Sequence, residues 1–294
     1  MRASDHPARL AVGVVGVGRA GTALGRALSR AGHFVIAVSA VSEDSVRRAQ
    51  ANFPGAVIVE PADVVRAADL VLLTVPDDAL PALVTGLVAT GAPVAGRMLM
   101  HASGRYGIAV LEPAVQAGAL PLALHPVMTF TGREEDTDRL KGLRFGVTSP
   151  EVLRPAAEAL VIEMGGEPVF IAESDRELYH AAIAFAANNI TTLVAESSDL
   201  LRAAGVAEPA RLLGPLLAAS LDNALRLGDA GLTGPVARGD AGTVRAHTAA
   251  LAGAPVTQAA YVALARLTAD RALAAGLLKS DDAQRLHEIL GGLA

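Results

Sequence analysis

The sequence predicts an α/β protein in which a doubly wound, mostly parallel sheet is followed by an all-α domain. Up to about residue 171, short apolar runs alternate with helical patterns, which is typical of a parallel sheet covered by helices on both faces. Beyond residue 173 the patterns are helical. A chain of 294 residues is long enough for two domains, and we place them at residues 1–173 and 174–294.

Eight apolar runs are predicted strands: 10–15, 34–39, 57–60, 70–75, 97–101, 120–124, 143–148 and 168–171. Helical patterns between them cover residues 20–30, 43–51, 62–67, 77–88 and 151–164. The second domain is predicted to hold helices at 176–204, 209–227, 256–274 and 281–290. These long helices are expected to join two copies of the chain into a homodimer.

The composition excludes several classes of function. The chain has no cysteine, which excludes disulfides, thiolate metal sites and thiolate nucleophiles. Its net charge is −5 with Lys and Arg dispersed, so it lacks the basic patch of a nucleic-acid-binding protein. Residues 79–96 are uncharged, but the prolines and glycines among them fit a helix, a turn and a strand better than a membrane span. Residues 1–9 lack the apolar segment of a signal peptide, so we expect a cytoplasmic protein without membrane or nucleic-acid partners.

A glycine-rich turn, Gly-Val-Gly-Arg-Ala-Gly, joins the first predicted strand to the first predicted helix. In this pattern the first glycine permits a tight turn, the second lets the backbone approach a pyrophosphate, and the third lets helix and strand pack closely. The helix N-terminus then presents unpaired N–H groups to the phosphates. With the strand at 34–39 this makes a complete βαβ unit, which indicates a Rossmann-like dinucleotide site. The loop residues predicted to bind the cofactor are Gly16, Val17, Gly18, Arg19, Ala20 and Gly21.

The residues after the second strand favour NADP(H) over NAD. In NAD enzymes an acidic residue at this place binds the ribose hydroxyls. Here Ser39 stands where the acid would be, and no carboxylate occurs in the following residues before Glu43. A small hydroxyl residue leaves room for the 2′-phosphate of NADP, and Arg19 can approach the adenosine side. Arg48, on the next helix, is interpreted as a solvated surface residue.

Ligands of an open α/β sheet bind outside the carboxyl ends of its strands, so residues at those ends are candidates for the site. Val75 and Pro76 end the fourth strand and are expected to run along the cofactor. Ser103 and Gly104 follow the fifth strand, where the glycine allows close approach and the hydroxyl can donate to a substrate anion; the alternative is a plain turn. His125 follows another strand and can donate to a substrate, or it is structural beside a proline turn.

Several segments together resemble a family of Rossmann-like proteins with a helical C-terminal domain of unassigned function. The most specific is Thr-Gly-Pro-x-x-Arg-Gly-Asp at residues 233–240, followed by His247. The family is similar to ketopantoate reductases, pyrroline-5-carboxylate reductases and 3-hydroxyacid dehydrogenases, and its helical part resembles the C-terminal domain of 6-phosphogluconate dehydrogenases. The resemblance implies an enzyme that uses NADP or NAD and binds its substrate between two domains. The other matching segments are 16–21, 73–77, 101–104, 124–126, 179–182 and 188–189.

The chain departs from those relatives at the catalytic lysine. Hydroxyacid dehydrogenases and ketopantoate reductases carry that lysine on the first long helix of the second domain, with an asparagine a turn later. This chain has no lysine between Lys141 and Lys279. His180 lies in the matching region and is the predicted proton donor, because histidine titrates near neutral pH. Asn188 lies about 80° around the same helix and is predicted to polarise the substrate carbonyl; the alternative for His180 is helix packing.

Arg238 and Asp240 lie in a glycine-rich loop between helices. Arg238 is a candidate clamp for a substrate carboxylate, and the alternative that we favour is an Arg–Asp pair that fixes the loop. His247 is expected to be a partner of the same loop. The histidines are dispersed and no His-Glu-x-x-His motif occurs, so no catalytic metal is expected.

These features predict an NADP(H)-dependent oxidoreductase that reduces a small carboxylate-bearing carbonyl compound, and the resemblance points to a 2-keto acid such as 2-dehydropantoate. One alternative is an imine reductase like the pyrroline-5-carboxylate enzymes. Another is a dinucleotide-binding sensor or interaction protein without catalysis, because fold alone does not fix function. The predicted catalytic residues are His180, Asn188, Ser103 and His125, and the predicted substrate contacts are Ser103, Gly104 and Arg238.

Overall fold

A computed structural model describes residues 9–291. Contacts between residues divide the chain into two compact units, Met1–Ala186 and Ala187–Ala294. This division falls inside a long helix, later than the boundary drawn from the sequence between residues 173 and 174. The physical reason is that the first turn of that helix is tied to the sheet of the first unit by the buried side chain of Arg176.

The first unit is built on one eight-stranded sheet with the order β3-β2-β1-β4-β5-β6-β7-β8. Its strands are β1 (Ala11–Val15), β2 (Phe34–Ser39), β3 (Val57–Ile58), β4 (Leu70–Leu73), β5 (Met98–His101), β6 (Leu120–Pro126), β7 (Arg144–Thr148) and β8 (Glu167–Phe170). The first six strands are parallel and follow the Rossmann order. In this order, strands are added on one side of β1 up to β3 and then on its other side from β4 onward. Strand β7 runs antiparallel to β6, and β8 is parallel to β7. The predicted mostly parallel sheet is confirmed.

Thirteen α-helices are found among the described residues. Those of the first unit are α1 (Arg19–Arg30), α2 (Glu43–Asn52), α3 (Pro61–Ala67), α4 (Leu80–Ala89), α5 (Glu112–Gln116), α6 (Glu135–Asp138) and α7 (Arg154–Glu163). Helix α8 (Arg176–Ala203) runs across the division. The remaining helices are α9 (Pro209–Leu227), α10 (Gly234–Ala237), α11 (Ala241–Ala250), α12 (Pro255–Ala274) and α13 (Ser280–Gly291).

Two apolar clusters lie on the two faces of the sheet, as expected when helices cover both. One joins α1 and α7 to residues such as Val14, Leu72 and Leu122, and the other joins α3 and α4 to residues such as Val71 and Leu99. In β4, the side chains of Val71 and Leu72 thus point to opposite faces, and both are fully buried. The strands are held rigidly from both sides, so the residues at their carboxyl ends keep fixed positions.

The second unit is helical, and its core is small. Residues of α10 to α13 form one apolar cluster that includes Val244, Ala269 and Leu286. Helix α9, in contrast, buries only Pro209 and Leu213 of its 19 residues. No helix in the described part of the chain is long and apolar enough to cross a membrane. The predicted all-α region after the sheet is confirmed.

Candidate functional site

The glycine loop after β1 has the geometry of an anion site. Gly16 has a φ of +94°, a left-handed conformation that favours glycine, and its N–H donates to the carbonyl of Ser39 at 3.1 Å. The N–H of Gly18 donates back to the Gly16 carbonyl at 2.8 Å, which closes the turn. Thr74, after β4, donates its hydroxyl to the same carbonyl at 2.8 Å. The loop is therefore fixed to the ends of both neighbouring strands.

The other two glycines of the loop differ in what surrounds them. A Cβ on Gly21 would stand 2.4 Å from the Gly16 carbonyl oxygen, so this position is needed for close packing. A Cβ on Gly18 would meet no atom within 4 Å, so its backbone faces open space. Gly18 is also the N-cap of α1, and no side chain caps the helix there. Unpaired N–H groups and the positive end of the helix dipole thus face that space, which suits a pyrophosphate.

On the adenosine side of the predicted site, the structure overturns one interpretation, that of Arg48. Arg48 was interpreted as a solvated residue, but it is half-buried and its Nε donates to the Val17 carbonyl at 3.1 Å. Its guanidinium therefore supports the glycine loop. The interpretation was wrong because helix α2 packs against α1 and brings Arg48 over the loop. Ser39 is buried at the end of β2, and no acid stands beside it in the sequence.

The fourth strand ends at Leu73, two residues before the predicted end at residue 75. Val75 is half-buried, and its Cγ1 would stand 3.1 Å from a Cβ on Gly16, so it borders the glycine loop. Pro76 is exposed and precedes a short 3₁₀ turn at Asp77–Ala79. Both residues lie at the carboxyl edge of the sheet next to the turn that follows β1. Cofactor contact at these residues stays a prediction.

Four of the predicted site residues come together at the carboxyl ends of β5 and β6. Gly104 is buried, and a Cβ placed on it would stand 2.6 Å from Cδ2 of His180 and 2.8 Å from Nε2 of His125. The rings of these histidines lie edge to face with their centroids 6.2 Å apart. Ser103 is also buried, and its hydroxyl accepts from the backbone N–H of Tyr106 at 3.2 Å. These residues form what we call the histidine cluster: Ser103, Gly104, His125 and His180.

Two residues that the sequence did not single out complete this cluster. The hydroxyl of Tyr179 lies 2.8 Å from Nδ1 of His125. Arg176 is fully buried and donates to the hydroxyl of Thr148 at 2.7 Å and to the carbonyls of Ala123 and Gly146 at 3.0 Å. Both residues stand on the first turn of α8, one helical turn apart, and this spacing is the sequence signal that could have identified them.

The electrostatics of the cluster keep its inner histidines neutral. Burial lowers the pKa of His125 to about 4, and the charge of Arg176 adds to this effect. Burial also lowers the pKa of His101, at the end of β5, to about 4, and its Nε2 lies 2.8 Å from the carbonyl of Gly107. The pKa of Tyr179 is raised by burial, which Arg176 only partly opposes. At neutral pH the imidazoles of His101 and His125 are therefore neutral, and the phenol of Tyr179 keeps its proton.

Other predicted residues stand elsewhere. Asn188 is exposed on α8 within the second unit, and Arg238 is exposed before α11. Asp240 accepts from the N–H and the hydroxyl of Thr243, so it caps α11, and no ion pair joins it to Arg238 in the described structure. The predicted pair between Arg238 and Asp240 is therefore wrong: Asp240 fixes the loop by capping α11.

His247 requires a second correction. It does not bond to the loop before α11. Its Nδ1 instead lies 3.0 Å from the hydroxyl of Tyr261 on α12. About two turns of α11 separate His247 from the loop, and its ring is directed toward the neighbouring helix. Across residues 9–291 no three carboxylates or histidines come together as a possible metal site.

Comparison with known proteins agrees with this geometry. Residues 2–126 match the model of a Rossmann-like domain, and residues 143–268 match a domain of unknown function, DUF2520. No protein of curated function matches the sequence. The matched ranges cover the glycine loop, all four residues of the histidine cluster and the loop before α11.

Several solved structures with the same fold are named as oxidoreductases. A candidate NADP oxidoreductase from Bacteroides fragilis has a TM-score of 0.73 at 22% identity, over 89% of this chain and 98% of that one. An imine reductase from Pseudomonas sp. has a TM-score of 0.65 at 20% identity, over 96% and 99%. The pyrroline carboxylate reductase of Plasmodium falciparum, with NADP bound, has a TM-score of 0.55 at 14% identity, over 77% and 85%. The chain therefore matches a Rossmann-like domain over residues 2–126 and a DUF2520 domain over residues 143–268, and it shares the fold of these solved structures.

Proposed function

We propose that this protein is an NADP(H)-dependent reductase of a small carbonyl or imine compound that carries a carboxylate. The observation that carries the proposal is the histidine cluster, which stands at the same carboxyl edge of the sheet as the glycine loop. A reductase needs a hydride donor, a group that polarises the double bond and a proton source within reach of each other. The nicotinamide, when bound, supplies the hydride.

The glycine loop suits the phosphates of that cofactor. The open space before Gly18 and the uncapped start of α1 would receive the pyrophosphate. Ser39 leaves room beside the ribose, and the acids that follow do not serve as ribose acceptors: Asp44 and Glu43 both pair with Arg47. The lack of an acid at the end of β2 supports NADP(H) over NAD.

His125 is proposed to polarise the substrate as a neutral donor. The protonated phenol of Tyr179 donates to Nδ1 of His125, which leaves the imidazole hydrogen on Nε2. Nε2 is the atom that faces Gly104. It can therefore donate a hydrogen bond to the substrate oxygen or nitrogen as negative charge develops there. Tyr179 acts here as a positioning residue.

His180 is proposed to deliver the proton. It is half-buried, its ring borders Gly104, and it stands beside His125 without bonding to it. A histidine in this place can reach both substrate and solvent, and so can be recharged after each turnover. Asn188 is proposed to support the same substrate group, and Ser103 and Arg238 are proposed contacts of the carboxylate.

One experiment distinguishes the carbonyl hypothesis from the imine hypothesis. NADPH oxidation would be followed with a panel of 2-keto acids, 2-dehydropantoate among them, and of cyclic imines such as pyrroline-5-carboxylate. We expect turnover of keto acids; turnover of cyclic imines alone would move the assignment to the imine class, which the named activities of two similar structures favour. If NADPH and NADH both fail to bind in a titration, the reductase proposal is wrong. Full turnover by both His180→Ala and Asn188→Ala would refute the catalytic roles.

A second copy of the chain is proposed to cover α9. The helix is 19 residues long, and only its residues Pro209 and Leu213 are buried. Its leucines at 212, 216, 221 and 225 are exposed. A helix so apolar and so little buried requires a partner surface. The same helix in a second copy offers a matching apolar face, as in a two-fold symmetric dimer. We expect a dimer in sedimentation at micromolar and higher concentrations, and a monomer at every concentration measured would contradict it.

A further inference from the structure

A cavity of about 220 Å³ opens beside α1, between the end of α2 and residues 132–137. Its lining includes three arginines, Arg19, Arg26 and Arg133, and one carboxylate, Glu134. The volume is below the roughly 300–1,000 Å³ that is usual for drug-sized ligands, so the cavity suits a small molecule. Neither the glycine loop backbone nor the histidine cluster lines it.

The charges in the cavity do not cancel. Arg26 is engaged, because it lies 3.3 Å from the carboxylate of Glu134 and donates to the amide oxygen of Asn52 at 3.2 Å. Arg133 lies 3.8 Å from the nearest carboxylate, that of Glu135. Arg19 makes no ion pair with any residue that the structure describes. The three guanidiniums and Glu134 thus leave about two positive charges facing the cavity.

A buried hydroxyl in the same cavity lacks a partner. Thr137 is 6% exposed, and its Oγ1 makes no hydrogen bond within the described structure. Buried polar groups are nearly always paired, and an unpaired one destabilises the fold. Thr137 also lines the cavity, so a rotation of its side chain would bring the covered hydroxyl to an incoming ligand oxygen, which would provide the missing partner.

The wall around Thr137 is already in place without a ligand. The carboxylate of Asp136 is buried and accepts from the N–H groups of Thr131 and Gly132 at 2.8 and 2.7 Å. Gly132 has a φ of +85°, and Cγ of Arg19 would stand 3.2 Å from a Cβ placed there. The stem of Arg19 therefore packs on the turn at Gly132, and Arg19 also lines the cavity.

We propose that this cavity binds the phosphate group of a small phosphomonoester, at a site that adjoins the glycine loop at Arg19 but differs from the pyrophosphate position before Gly18. A phosphomonoester carries close to two negative charges at neutral pH, which matches the charge of the lining. Guanidiniums bind phosphate oxygens by paired hydrogen bonds, and the hydroxyl of Thr137 adds a further donor. Inorganic phosphate shares this chemistry, so the same residues would bind both.

The test is calorimetric titration of the full chain with glycerol 3-phosphate and, in parallel, with inorganic phosphate. We expect Arg133→Gln and Thr137→Val each to weaken binding of both, by about tenfold for the arginine because a charge-assisted hydrogen bond is lost. Arg139→Gln is the matched control: it removes the same charge from a nearby exposed arginine that does not line the cavity, and binding should stay unchanged. Tighter binding of the ester than of inorganic phosphate identifies the ester as the ligand; equal binding assigns the site to the free ion and overturns the ester.

Two further measurements separate this site from the glycine loop and from a folding defect. The titration is repeated with NADP⁺ in excess, and binding that disappears would mean that the phosphate occupies the cofactor site, so the proposal would be wrong. Thr137→Val removes the unpaired hydroxyl without changing shape, so its unfolding temperature should be equal or higher while its phosphate affinity falls. Unchanged phosphate affinity in both cavity variants would also overturn the proposal, whether or not NADPH binds.

Discussion

Replacing Gly18 by alanine is expected to separate cofactor binding from folding. Gly18 has φ −82° and ψ −165°, which alanine adopts without strain, and the added Cβ meets no protein atom within 4 Å. The change should therefore leave the free energy of unfolding equal or raise it by about 0.4–1 kcal/mol, because the unfolded chain loses freedom. A methyl group in the space before α1 should nevertheless keep a pyrophosphate from the loop N–H groups.

The loss in affinity can be sized from those hydrogen bonds. Bonds from N–H groups to a charged oxygen contribute roughly 1.5–3 kcal/mol each, so losing one should raise the Kd for NADPH by about tenfold to a hundredfold. The neighbouring glycine should behave in the opposite way. A Cβ on Gly21 stands 2.4 Å from the Gly16 carbonyl oxygen, so Gly21→Ala should destabilise the fold by about 1–3 kcal/mol.

The assay is a titration with NADPH followed by nicotinamide fluorescence, together with chemical unfolding of each variant. Gly86→Ala is the control, since Gly86 lies inside α4 with no atom within 4 Å of an added Cβ. It should stabilise the fold by about 0.5–1 kcal/mol and leave the Kd unchanged. Wild-type affinity in a folded Gly18→Ala variant would refute the placement of the pyrophosphate.

Three further outcomes are expected. Tyr179→Phe removes the hydrogen bond to His125, and we expect kcat to fall about tenfold while the Kd for NADPH stays constant; an unchanged kcat would contradict the positioning role. Because the pKa values of His101 and His125 are lowered from 6.5 to about 4 in the fold, the unfolded chain binds more protons between these values. Stability should therefore be full above pH 6.5 and fall as the pH drops toward 4, by roughly 3 kcal/mol per histidine at most. Unfolding curves that do not change across this range would refute the neutral buried histidines. Leu216→Glu places a charge on the apolar face of α9 and should convert the dimer to a monomer in sedimentation, whereas a dimer that persists would exclude that face.

Much of the fold could be predicted because burial on both faces leaves a plain pattern in the sequence. All eight strands were predicted within a few residues, and β2 was predicted with its exact limits at Phe34–Ser39. The antiparallel direction of β7 was not predicted, because an apolar run shows that a strand is buried but does not show its direction. Helices α5, α6, α10 and α11 were not among the predicted helices either. The first three are five residues or shorter and show too little periodicity.

The parts of the candidate site that could be predicted are those where the backbone geometry allows only one residue type. The glycine loop belongs to this class, because only glycine fits the left-handed turn at residue 16 and the close contact at residue 21. Histidines and arginines have many uses, so their roles depend on neighbours that are distant in sequence. Arg48 lies 31 positions from the carbonyl it supports, and Tyr179 lies 54 positions from His125. Nothing local distinguishes such residues from surface ones.

In the proposed mechanism, Arg176 supplies a fixed positive charge on the first long helix, where the similar dehydrogenases carry a lysine. Its guanidinium places a positive charge at the carboxyl edge of the sheet, but it donates to two carbonyls and a hydroxyl, and it does not release its proton. The charge therefore acts on its neighbours: it helps to lower the pKa of His125 and so favours the neutral imidazole. A neutral donor beside a fixed cation can stabilise a developing oxyanion, while the proton must come from another group. The division of these tasks between Arg176, His125 and His180 is consistent with reduction of a carbonyl or an imine.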